Sequence, residues 1–428
     1  QTCALPIFRR CGDVHMPLEV TERGRGFGPR VEAQDGLTVL EGIGADGRAT
    51  KATRFADELN IPIGVLPLGE GYEAIVWSIP YIWKLSDTDR DGVADKREIL
   101  YGPFDFVDTH GNQNAFRMGL DGWVYACHGF RNNSQIKLRG EGDVVLTLNS
   151  GNTYRFRPDG SAIEQVSWGQ VNPFGSCFDP LGNFFTADCH SRPLTMVLRG
   201  GYYDSFGKPH DGLGFAPITT SDDHGSTGIA GVAYYDAHQF PPEYRDCLYL
   251  GNVVTNVVHR DRPEWRGSSP WVQKPEDFIT CEDWWFHPVD VQLGPDGAIY
   301  ISDFYNCIIG HYEVDLNHPR RDRDRGRVWR VVWSGDDASP AILPNLAGRS
   351  RDELVRDLGE RHEILRGGIK RWCVGGPAQA PLDVLYTLMQ AHGLKADDVA
   401  SVVVRLPATE LQIVNKARKS TRLNSSHT

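Results

Sequence analysis

The feature that most constrains the fold of this chain is a turn sequence that occurs twice, at an offset of 45 residues. Residues 45–51 read Ala-Asp-Gly-Arg-Ala-Thr-Lys, and residues 90–96 read Arg-Asp-Gly-Val-Ala-Asp-Lys. A strand-rich repeat of about 40–50 residues is typical of β-propellers, in which each repeat forms one blade around a central channel. The offset therefore predicts an all-β chain with a propeller architecture.

Further strand-turn-strand units follow the two copies. Residues 118–126, 177–187 and 291–302 each place an Asp- or Gly-containing turn between two apolar segments. Glycine adopts positive φ at little cost, which suits the tight turns of hairpins. Residues 153–161 supply another turn, and residues 247–253 another inner strand. These units predict five or six blades, with six favoured and an incomplete ring as the alternative.

A calcium-binding sequence lies in the second copy of the turn. Residues 87–98 fit the template D-x-[DN]-x-[DN]-G-x5-E at every position. Calcium takes about six to eight oxygen ligands, and this spacing supplies them, with Gly92 at the sharp turn. The predicted ligands, in loop order, are Asp87, Asp89, Asp91, the carbonyl of Val93, Asp95 and Glu98.

The residues on both sides of this loop indicate a β-hairpin and not an EF-hand. Residues 79–85 and 98–101 are rich in β-branched and aromatic side chains, which favour strands. A solvated acidic hairpin tip is the alternative to a calcium site. In the first copy, Gly42, Gly44 and Thr53 replace Asp87, Asp89 and Glu98, so no metal is expected there.

The composition narrows the function further. The chain has 428 residues, of which 40% are hydrophobic, and no apolar run is long enough to span a membrane. Its net charge of −11 argues against a nucleic-acid partner. The cysteines occur at scattered spacings without a C-x-x-C pair. Small buried side chains are the favoured interpretation, and disulfides are the alternative for an exported protein.

The sequence pattern changes from predicted strands to predicted helices after Trp333. Residues 350–358 begin with a capping box and continue with an amphipathic pattern, which predicts a helix. Residues 381–392 predict a second helix that ends at Gly393, and residues 399–406 predict a strand. The propeller is therefore expected to be followed by a small α+β fragment.

Several stretches of the propeller region resemble one family of large bacterial proteins, identified as membrane-bound dehydrogenases or PVC-type haem-binding proteins. The stretches are residues 55–67, 109–112, 172–175, 288–297 and 324–330, within a resemblance that covers roughly residues 35–358. In that family the propeller is similar to the soluble quinoprotein sugar dehydrogenases. The resemblance implies a periplasmic or extracytoplasmic enzyme that oxidises a small-molecule sugar or alcohol with PQQ. It also implies a c-type haem electron acceptor in the full-length protein, although this chain contains no C-x-x-C-H.

The same resemblance suggests two site residues. His110 occupies the place of the histidine that removes the substrate hydroxyl proton in the sugar dehydrogenases, so it is the candidate catalytic base. Asn172 lies in Asn-Pro-Phe-Gly, which matches most of the Arg-Asn-Pro-x-Gly quinone-binding motif. Val171 stands where the arginine is expected, and a valine cannot pair with a quinone oxygen or carboxylate.

Other polar residues follow predicted inner strands and are candidates for cofactor binding near the axis. They are His128, Asp188 and His190, which could form a polar ring with Cys127, Cys189, His224 and Asp303. Imidazole and thiolate suit zinc or iron, while hydrogen bonding between blades is the alternative role. Besides the dehydrogenase, a non-catalytic propeller that binds carbohydrate or a protein partner and a metal-centred, lactonase-type hydrolase stay open.

The outer parts of the chain carry two other resemblances. Residues 1–7 and 419–428 resemble translated sequencing adapters, and residues 360–418 resemble the C-terminal domain of the MmgE/PrpD family. This combination suggests a chimera joined near residue 360. The expected division is then a propeller over residues 8–334, the helical start of a following region over 335–359, and the MmgE/PrpD-like fragment between the joint and the second adapter-like end.

Overall fold

The structure is a computed structural model. It describes residues 8–10, 13–20, 35–43, 49–68, 71–190, 194–206, 216, 224, 228–267, 269–309, 318–322, 326–335, 379–395 and 398. The turn of the first copy at residues 44–48, the helix predicted at 350–358 and the strand predicted at 399–406 lie outside these ranges, as do both adapter-like ends.

The described strands of the first half of the chain form three antiparallel sheets. The first contains β1 (Phe8–Arg10), β2 (Asp13–Val20), β3 (Asp35–Ile43) and β4 (Ala49–Leu59). The second contains β5 (Val65–Leu68), β6 (Glu73–Ser78), β7 (Tyr81–Ser86) and β8 (Lys96–Gly102). The third contains β9 (Asn114–Met118), β10 (Val124–His128), β13 (Asn152–Phe156) and β14 (Ile163–Trp168). Between β10 and β13 the chain forms a hairpin of β11 (Asn133–Leu138) and β12 (Leu146–Asn149). That hairpin pairs with β8, so it extends the second sheet to six strands.

The described strands of the second half form three more antiparallel sheets. The fourth contains β15 (Pro173–Phe178), β16 (Phe184–Asp188) and β17 (Leu194–Val197). The fifth contains β18 (Ile229–Tyr235), β19 (Cys247–Asn252), β20 (Val257–Arg266), β21 (Ser269–Gln273) and the short β22 (Ile279–Thr280). The sixth contains β23 (Pro288–Leu293), β24 (Ile299–Asp303) and β25 (Arg327–Val331).

Apolar clusters join each sheet to the next one around a closed ring. Trp77 and Phe116 belong to the cluster between the second and third sheets, and Phe185 and Leu248 to the one between the fourth and fifth. Equivalent clusters join the first to the second, the third to the fourth, and the fifth to the sixth sheet. Leu40 of the first sheet packs on the cluster of the sixth, which closes the ring. The structure thus confirms the predicted all-β propeller, and its described residues contain six blades.

The first strands of the blades approach closely around the propeller axis. A Cβ atom on Gly175 would lie 2.6 Å from the Cα of Gly231, and one on Gly231 would lie 2.5 Å from the Cα of Asp290. Glycine is required at these two positions of β15 and β18 because a side chain would displace the neighbouring backbone. Arg117 of β9 forms an ion pair with Asp290 of β23, with 3.3 Å between Nη2 and Oδ1. The axis is therefore crossed by an ion pair between the third and sixth blades.

The antiparallel order of the strands divides the connections between two faces of the propeller. The segment that enters the first strand of a blade and the segment that leaves its second strand lie on the same side, which we call the upper face. The turns between first and second strands, and between third and fourth strands, lie on the lower face. Residues 103–113 therefore belong to the upper face, whereas residues 87–95, between β7 and β8, belong to the lower face.

The chain divides into two compact units, Gln1–Leu354 and Val355–Thr428. In the second unit the predicted helix is confirmed as α1 (Gln379–His392), and Gly393 follows it with φ of 62°. Among the helices that the structure describes, none is both long and hydrophobic enough to cross a membrane. The six cysteines of the described ranges form no disulfide, and Cys127, Cys177 and Cys247 are buried, as the favoured interpretation predicted.

Candidate ligand site on the upper face

A carboxylate–imidazole pair lies in the connection that enters β9. Residues Thr109–Gly111 form one 3-10 turn, and the side chain of Asp108 caps it by accepting the backbone N–H of His110 at 3.0 Å. The same oxygen of Asp108 lies 3.1 Å from Nδ1 of His110. The side chain of Asp108 is buried, whereas that of His110 is 33% exposed. The pairing makes Nδ1 the donor nitrogen and Nε2 the basic one, which is the arrangement a proton acceptor needs.

Asn132 fixes the backbone of Asp108. The backbone N–H of Asp108 donates to Oδ1 of Asn132 at 2.9 Å, and Nδ2 of Asn132 donates to the carbonyl of Asp108 at 2.9 Å. This two-way contact anchors the carboxylate that orients His110. The 3-10 turn is thus held in place by Asn132, which lies in the connection after the second strand of the same blade.

Asn172 lies in the connection that enters β15, on the same face, and its predicted cofactor-binding role stays a prediction. Its Oδ1 accepts the backbone N–H of Phe130 at 3.1 Å, and its Nδ2 lies 3.3 Å from Sγ of Cys189. Phe130 in turn packs on the His110 turn, where a Cβ on Gly111 would lie 2.4 Å from the Phe130 carbonyl. The structure therefore brings the turn of His110 and the side chain of Asn172 together through one shared neighbour.

Asp188 holds this connection in place. It ends β16, is buried, and accepts the N–H groups of Val171 at 2.8 Å, Asn172 at 3.0 Å and His190 at 3.2 Å. A carboxylate with this many amide donors is a positioning group for the connection, and its electron pairs are already engaged. Asp303 has the same place at the end of β24, where it accepts the N–H of His287 at 2.9 Å.

His190 contributes to an aromatic rim above Asn172. The rings of Phe130 and His190 have centroids 6.0 Å apart, and the ring of Phe206 lies 5.5 Å from Phe130 and 6.2 Å from His190. Phe206 is 72% exposed, although it is fully apolar. Exposed aromatic surfaces beside polar groups are common features of ligand sites.

His128 does not reach this site. It is buried, its Nδ1 contacts the carbonyl of Ser150 at 2.7 Å, and its Nε2 contacts Oγ of Ser134 at 2.8 Å. Both ring nitrogens therefore have protein partners, because His128 connects β10 to the hairpin of β11 and β12. This geometry favours the structural alternative, and its predicted role in cofactor binding receives no support from the contacts.

The thiols predicted to join a polar ring lie in surroundings that favour their protonated form. Burial raises the pKa of Cys127 to about 12. Burial, reinforced by the negative charge of Asp188, raises the pKa of Cys189 well above its usual range. Metal binding requires the thiolate, so a metal ion at either cysteine would have to displace a proton.

A second buried cluster lies in the fifth blade, at the upper end of β20. His224 Nε2 is 3.1 Å from Oδ2 of Asp261, and His259 Nδ1 is 2.7 Å from Oδ1 of Asp277. The two imidazoles stack with centroids 4.2 Å apart. Burial and the neighbouring His224 lower the pKa of His259, so its ring is neutral at neutral pH. Each histidine is thus matched to its own carboxylate.

The predicted calcium loop occupies the lower face. Its flanking strands β7 and β8 pair as an antiparallel hairpin, which confirms the strand prediction on both sides. Asp87, Asp89 and Asp91 place one carboxylate oxygen each within 4.8 Å of one another, and they are the sole group of three potential metal ligands in the described part of the chain. Gly92 has φ of 99°, and its N–H donates to Oδ2 of Asp87 at 2.9 Å.

The later predicted ligands of this loop have other partners. Asp95 accepts the hydroxyl of Thr88 at 2.7 Å, and this hydrogen bond lowers the pKa of Asp95. Glu98 lies 2.9 Å from Nζ of Lys96, which lowers the pKa of Glu98. The structure therefore gathers the first three carboxylates, and the ligand roles of all six predicted residues stay predictions.

Sequence reasoning did not identify Asn112 and Gln113. Both side chains are fully buried where the chain passes from the His110 turn into β9. Neither amide has a hydrogen-bond partner on either its nitrogen or its oxygen. Their position two and three residues after His110, in Thr-His-Gly-Asn-Gln-Asn, is the one sequence feature that could have marked them.

A comparison with known protein families assigns the propeller region to one family. A family described as a domain of unknown function (DUF7133) matches residues 19–335. The chain belongs to the DUF7133 family. The matched range contains the described strands β3 to β25 and every residue of the site above. A comparison with curated proteins gives no match for the DUF7133 chain.

Solved structures similar to the DUF7133 chain include sugar dehydrogenases. A glucose dehydrogenase is 17% identical, covers 78% of this chain and 99% of its own, and gives a TM-score of 0.48. The PQQ domain of pyranose dehydrogenase from Coprinopsis cinerea, in its holo form, is 14% identical over 71% of this chain and 90% of its own, with a TM-score of 0.43. PQQ-bound aldose sugar dehydrogenase from Streptomyces coelicolor is 17% identical over 64% and 95%, with a TM-score of 0.36. At these identities and scores, the propeller assignment depends on the ring of sheets and apolar clusters described above.

Proposed function

We propose that the upper face of this propeller binds a sugar or alcohol and that His110 removes the proton of the hydroxyl group to be oxidised. The observation that carries the proposal is the Asp108–His110 pair, with its 3.1 Å contact and a partly exposed imidazole beside a buried carboxylate. The aromatic rim of Phe130, His190 and Phe206 adds apolar surface on which the C–H face of a sugar can lie.

The protein's own part in this chemistry is proton transfer and orientation. Asp108 keeps the proton on Nδ1 and stabilises the imidazolium that forms when Nε2 accepts the substrate proton. Asn132 prevents Asp108 from turning away, because it binds the backbone of that residue on both sides. A quinone of the PQQ class, when bound, would accept the hydride that leaves the same carbon.

The described residues do not reproduce the quinone pocket of the sugar dehydrogenases. Val171 is buried, and its N–H donates to the carboxylate of Asp188. A negatively charged group therefore lies where the quinone-binding motif would place the guanidinium of an arginine. Asp108 and Asp188 would both oppose a tricarboxylate ligand. The described residues place the cations Arg131, Lys274, Arg320 and Arg321 in upper-face connections, and Arg327, at the start of β25, lies over the ring of Tyr305.

This disagreement supports the second candidate, a propeller that binds carbohydrate without oxidising it. The aromatic rim serves binding in either case, whereas oxidation needs the quinone. The lactonase-type hydrolase is less favoured, because the three-carboxylate group of the described residues lies on the lower face. An axial metal would have to use other ligands.

We assign the lower-face loop a structural calcium ion. Three converging carboxylates suit a hard cation, and the loop contacts the first sheet, where the N–H of Ala94 donates to the carbonyl of Phe55 at 2.7 Å. A bound ion would therefore stiffen the joint between the first two blades. An extracytoplasmic location and a c-type haem acceptor in a longer protein complete the proposal.

Reconstitution separates oxidation from binding alone. The purified chain is incubated with PQQ and calcium, and quinone absorbance and dye reduction are followed with D-glucose, D-galactose and 1-propanol. Dye reduction that depends on PQQ and on one of these substrates supports the dehydrogenase. Binding of a sugar without quinone absorbance or dye reduction would exclude oxidation by PQQ and leave the carbohydrate-binding propeller.

A further inference from the structure

A short segment of the upper face, residues 129–132, runs beside the 3-10 turn that carries the candidate base. The N–H of Gly129 donates to the carbonyl of Gly111 at 3.1 Å, which joins one end of the segment to the end of the turn. The other end is joined through the two-way contact between Asn132 and the backbone of Asp108. The segment and the turn therefore lie side by side and run in opposite directions.

Arg131 lies between these two contacts, and the register places its backbone opposite Thr109, one residue from His110. Its N–H donates to Oγ of Ser150 at 3.4 Å, and its carbonyl accepts Nδ2 of Asn133 at 3.2 Å. The backbone of Arg131 is thus fixed, whereas its side chain is exposed. Neighbouring extended segments lie about 5 Å apart, a separation that an arginine side chain can span. The guanidinium can therefore share a ligand with Nε2 of His110.

Within the described part of the chain, the guanidinium of Arg131 has no ion pair, hydrogen bond or aromatic partner. Two carboxylates of the neighbouring connection are engaged by other groups. Asp105 accepts three backbone N–H groups at 2.8, 3.2 and 2.7 Å, and Asp108 accepts from both the backbone and the ring of His110. The donors of Arg131 therefore stay available, and a planar guanidinium can hold a carboxylate with two parallel hydrogen bonds.

We infer that the ligand of the upper face carries a carboxylate that Arg131 binds while a hydroxyl of the same ligand lies at His110. The substrate class is then a hydroxy acid or a sugar acid, and not a neutral sugar or a simple alcohol. This assignment rests on the proposed function of His110 and narrows its substrate class. Arg131 acts in binding and takes no part in the proton transfer, because a guanidinium stays protonated in proteins.

The charges beside the turn favour a single carboxylate over a more highly charged group. Arg131 supplies one positive charge, which matches the single negative charge of a carboxylate. A phosphate monoester carries a charge of about −1.5 to −2 at neutral pH, so part of it would be left without a partner. The side chain of Asp108 is 6% exposed and lies behind the imidazole of His110, yet its charge repels a second anion, and more strongly a dianion.

The test compares ligands that differ only in the charged group. D-Glucuronate has a carboxylate where D-glucose has a hydroxymethyl group, and L-lactate differs from 1,2-propanediol in the same way; D-glucose 6-phosphate serves as the dianion. Dissociation constants are measured by titration calorimetry on the full chain in a low-salt buffer. At least one carboxylate should bind about tenfold or more tighter than its neutral counterpart, and D-glucose 6-phosphate should bind more weakly than D-glucuronate.

Arg131→Gln should lower the affinity for the carboxylate by about tenfold or more and leave that for the neutral counterpart within about threefold of the parent. Arg131→Lys should keep part of the preference, because lysine retains the charge without the two parallel hydrogen bonds. Arg97→Gln is the matched control: Arg97 is an exposed arginine of β8, in another blade, and its loss should leave the preference unchanged. All three variants should melt like the parent, since both arginines are exposed.

Four results would overturn the inference: a parent that binds neither carboxylate up to about 100 mM, a parent without a preference for the carboxylates, Arg131→Gln with the parental preference, or an equal loss in Arg97→Gln, which would indicate net charge alone. Tighter binding of D-glucose 6-phosphate than of D-glucuronate would refute the carboxylate. PQQ-dependent dye reduction with D-glucose at the same KM in the parent and Arg131→Gln, without activity on D-glucuronate or L-lactate, would refute the role of Arg131 and leave the dehydrogenase intact. A carboxylate preference that Arg131→Gln loses, in a parent without dye reduction on any of these ligands, would support Arg131 and refute the oxidation.

Discussion

Arg117 and Asp290 meet across the axis of the propeller, with 3.3 Å between Nη2 and Oδ1, although 173 positions separate them in the chain. Arg117 also donates from Nε to the carbonyl of Ser176 at 3.0 Å. One side chain thus contacts the fourth and sixth blades from the third. The pair therefore links three blades at the axis of the propeller.

Arg117→Ala is expected to lower the free energy of unfolding by about 1–3 kcal/mol, because it leaves the half-buried carboxylate of Asp290 without its partner. Arg199→Ala is the control, since Arg199 forms a more exposed ion pair with Glu164 at 2.8 Å. That change should cost less than about 0.5 kcal/mol. Urea unfolding monitored by tryptophan fluorescence measures both, and equal effects would contradict a special role of the axial pair.

Asp89→Ala with Asp91→Ala should abolish the stabilisation of the chain by calcium. A ligand at about 100 times its dissociation constant contributes roughly 2.7 kcal/mol to the folded state. The parent should therefore melt higher in calcium than in EDTA, and the variant should melt alike in both. Asp143→Ala, in the exposed turn between β11 and β12, is the control and should keep the calcium response. A parent that melts equally with calcium and with EDTA would argue for a solvated acidic turn.

His110→Ala is expected to lower turnover in the PQQ-reconstituted chain by about 10²–10⁴ while the melting temperature changes little. Asp108→Asn should also reduce turnover, because Nδ1 loses the carboxylate that fixes its proton. His238→Ala, at an exposed position, should retain parental turnover. Full activity of His110→Ala would exclude this residue as the base.

Acid should weaken the fifth blade through His259. Burial and His224 lower the pKa of His259 in the folded state below its usual value of about 6.5. As pH falls below about 6.5, the unfolded chain binds a proton that the folded chain does not, so the free energy of unfolding falls. His259→Asn should flatten this dependence between about pH 7.5 and 5.5, as judged by urea unfolding, and His238→Asn should not. If the free energy of unfolding depends on pH in His259→Asn as it does in the parent, a group other than His259 causes the acid sensitivity.

Local chemistry made much of the propeller predictable. The strands around the 87–98 loop could be recognised because β-branched and aromatic residues pack well on a pleated surface. The helix over Gln379–His392 and its end at Gly393 follow from period and from the freedom of glycine at positive φ. The strand-turn-strand units likewise depend on residues that are close in sequence, so their spacing indicated blades before any tertiary contact was known.

The pairing and satisfaction of polar groups were decided by the tertiary structure. His128 ends a second strand and His190 follows one, yet His128 is buried between Ser134 and Ser150 whereas His190 joins the aromatic rim. Their local sequences, Cys-His in both cases, do not distinguish them. The difference comes from the hairpin of β11 and β12, which covers one connection and leaves the other open.

The sequence by itself determined the blade repeat, the acidic hairpin and the position of His110 ahead of an inner strand, because each depends on neighbours within a few residues. Only the ring of blades decided that Arg117 meets Asp290, that Asp188 binds the connection of Asn172, and that Asn112 and Gln113 are buried without partners. Such contacts depend on how six sheets pack around one axis. That packing is set by apolar clusters between blades, which fix distances between residues far apart in the chain.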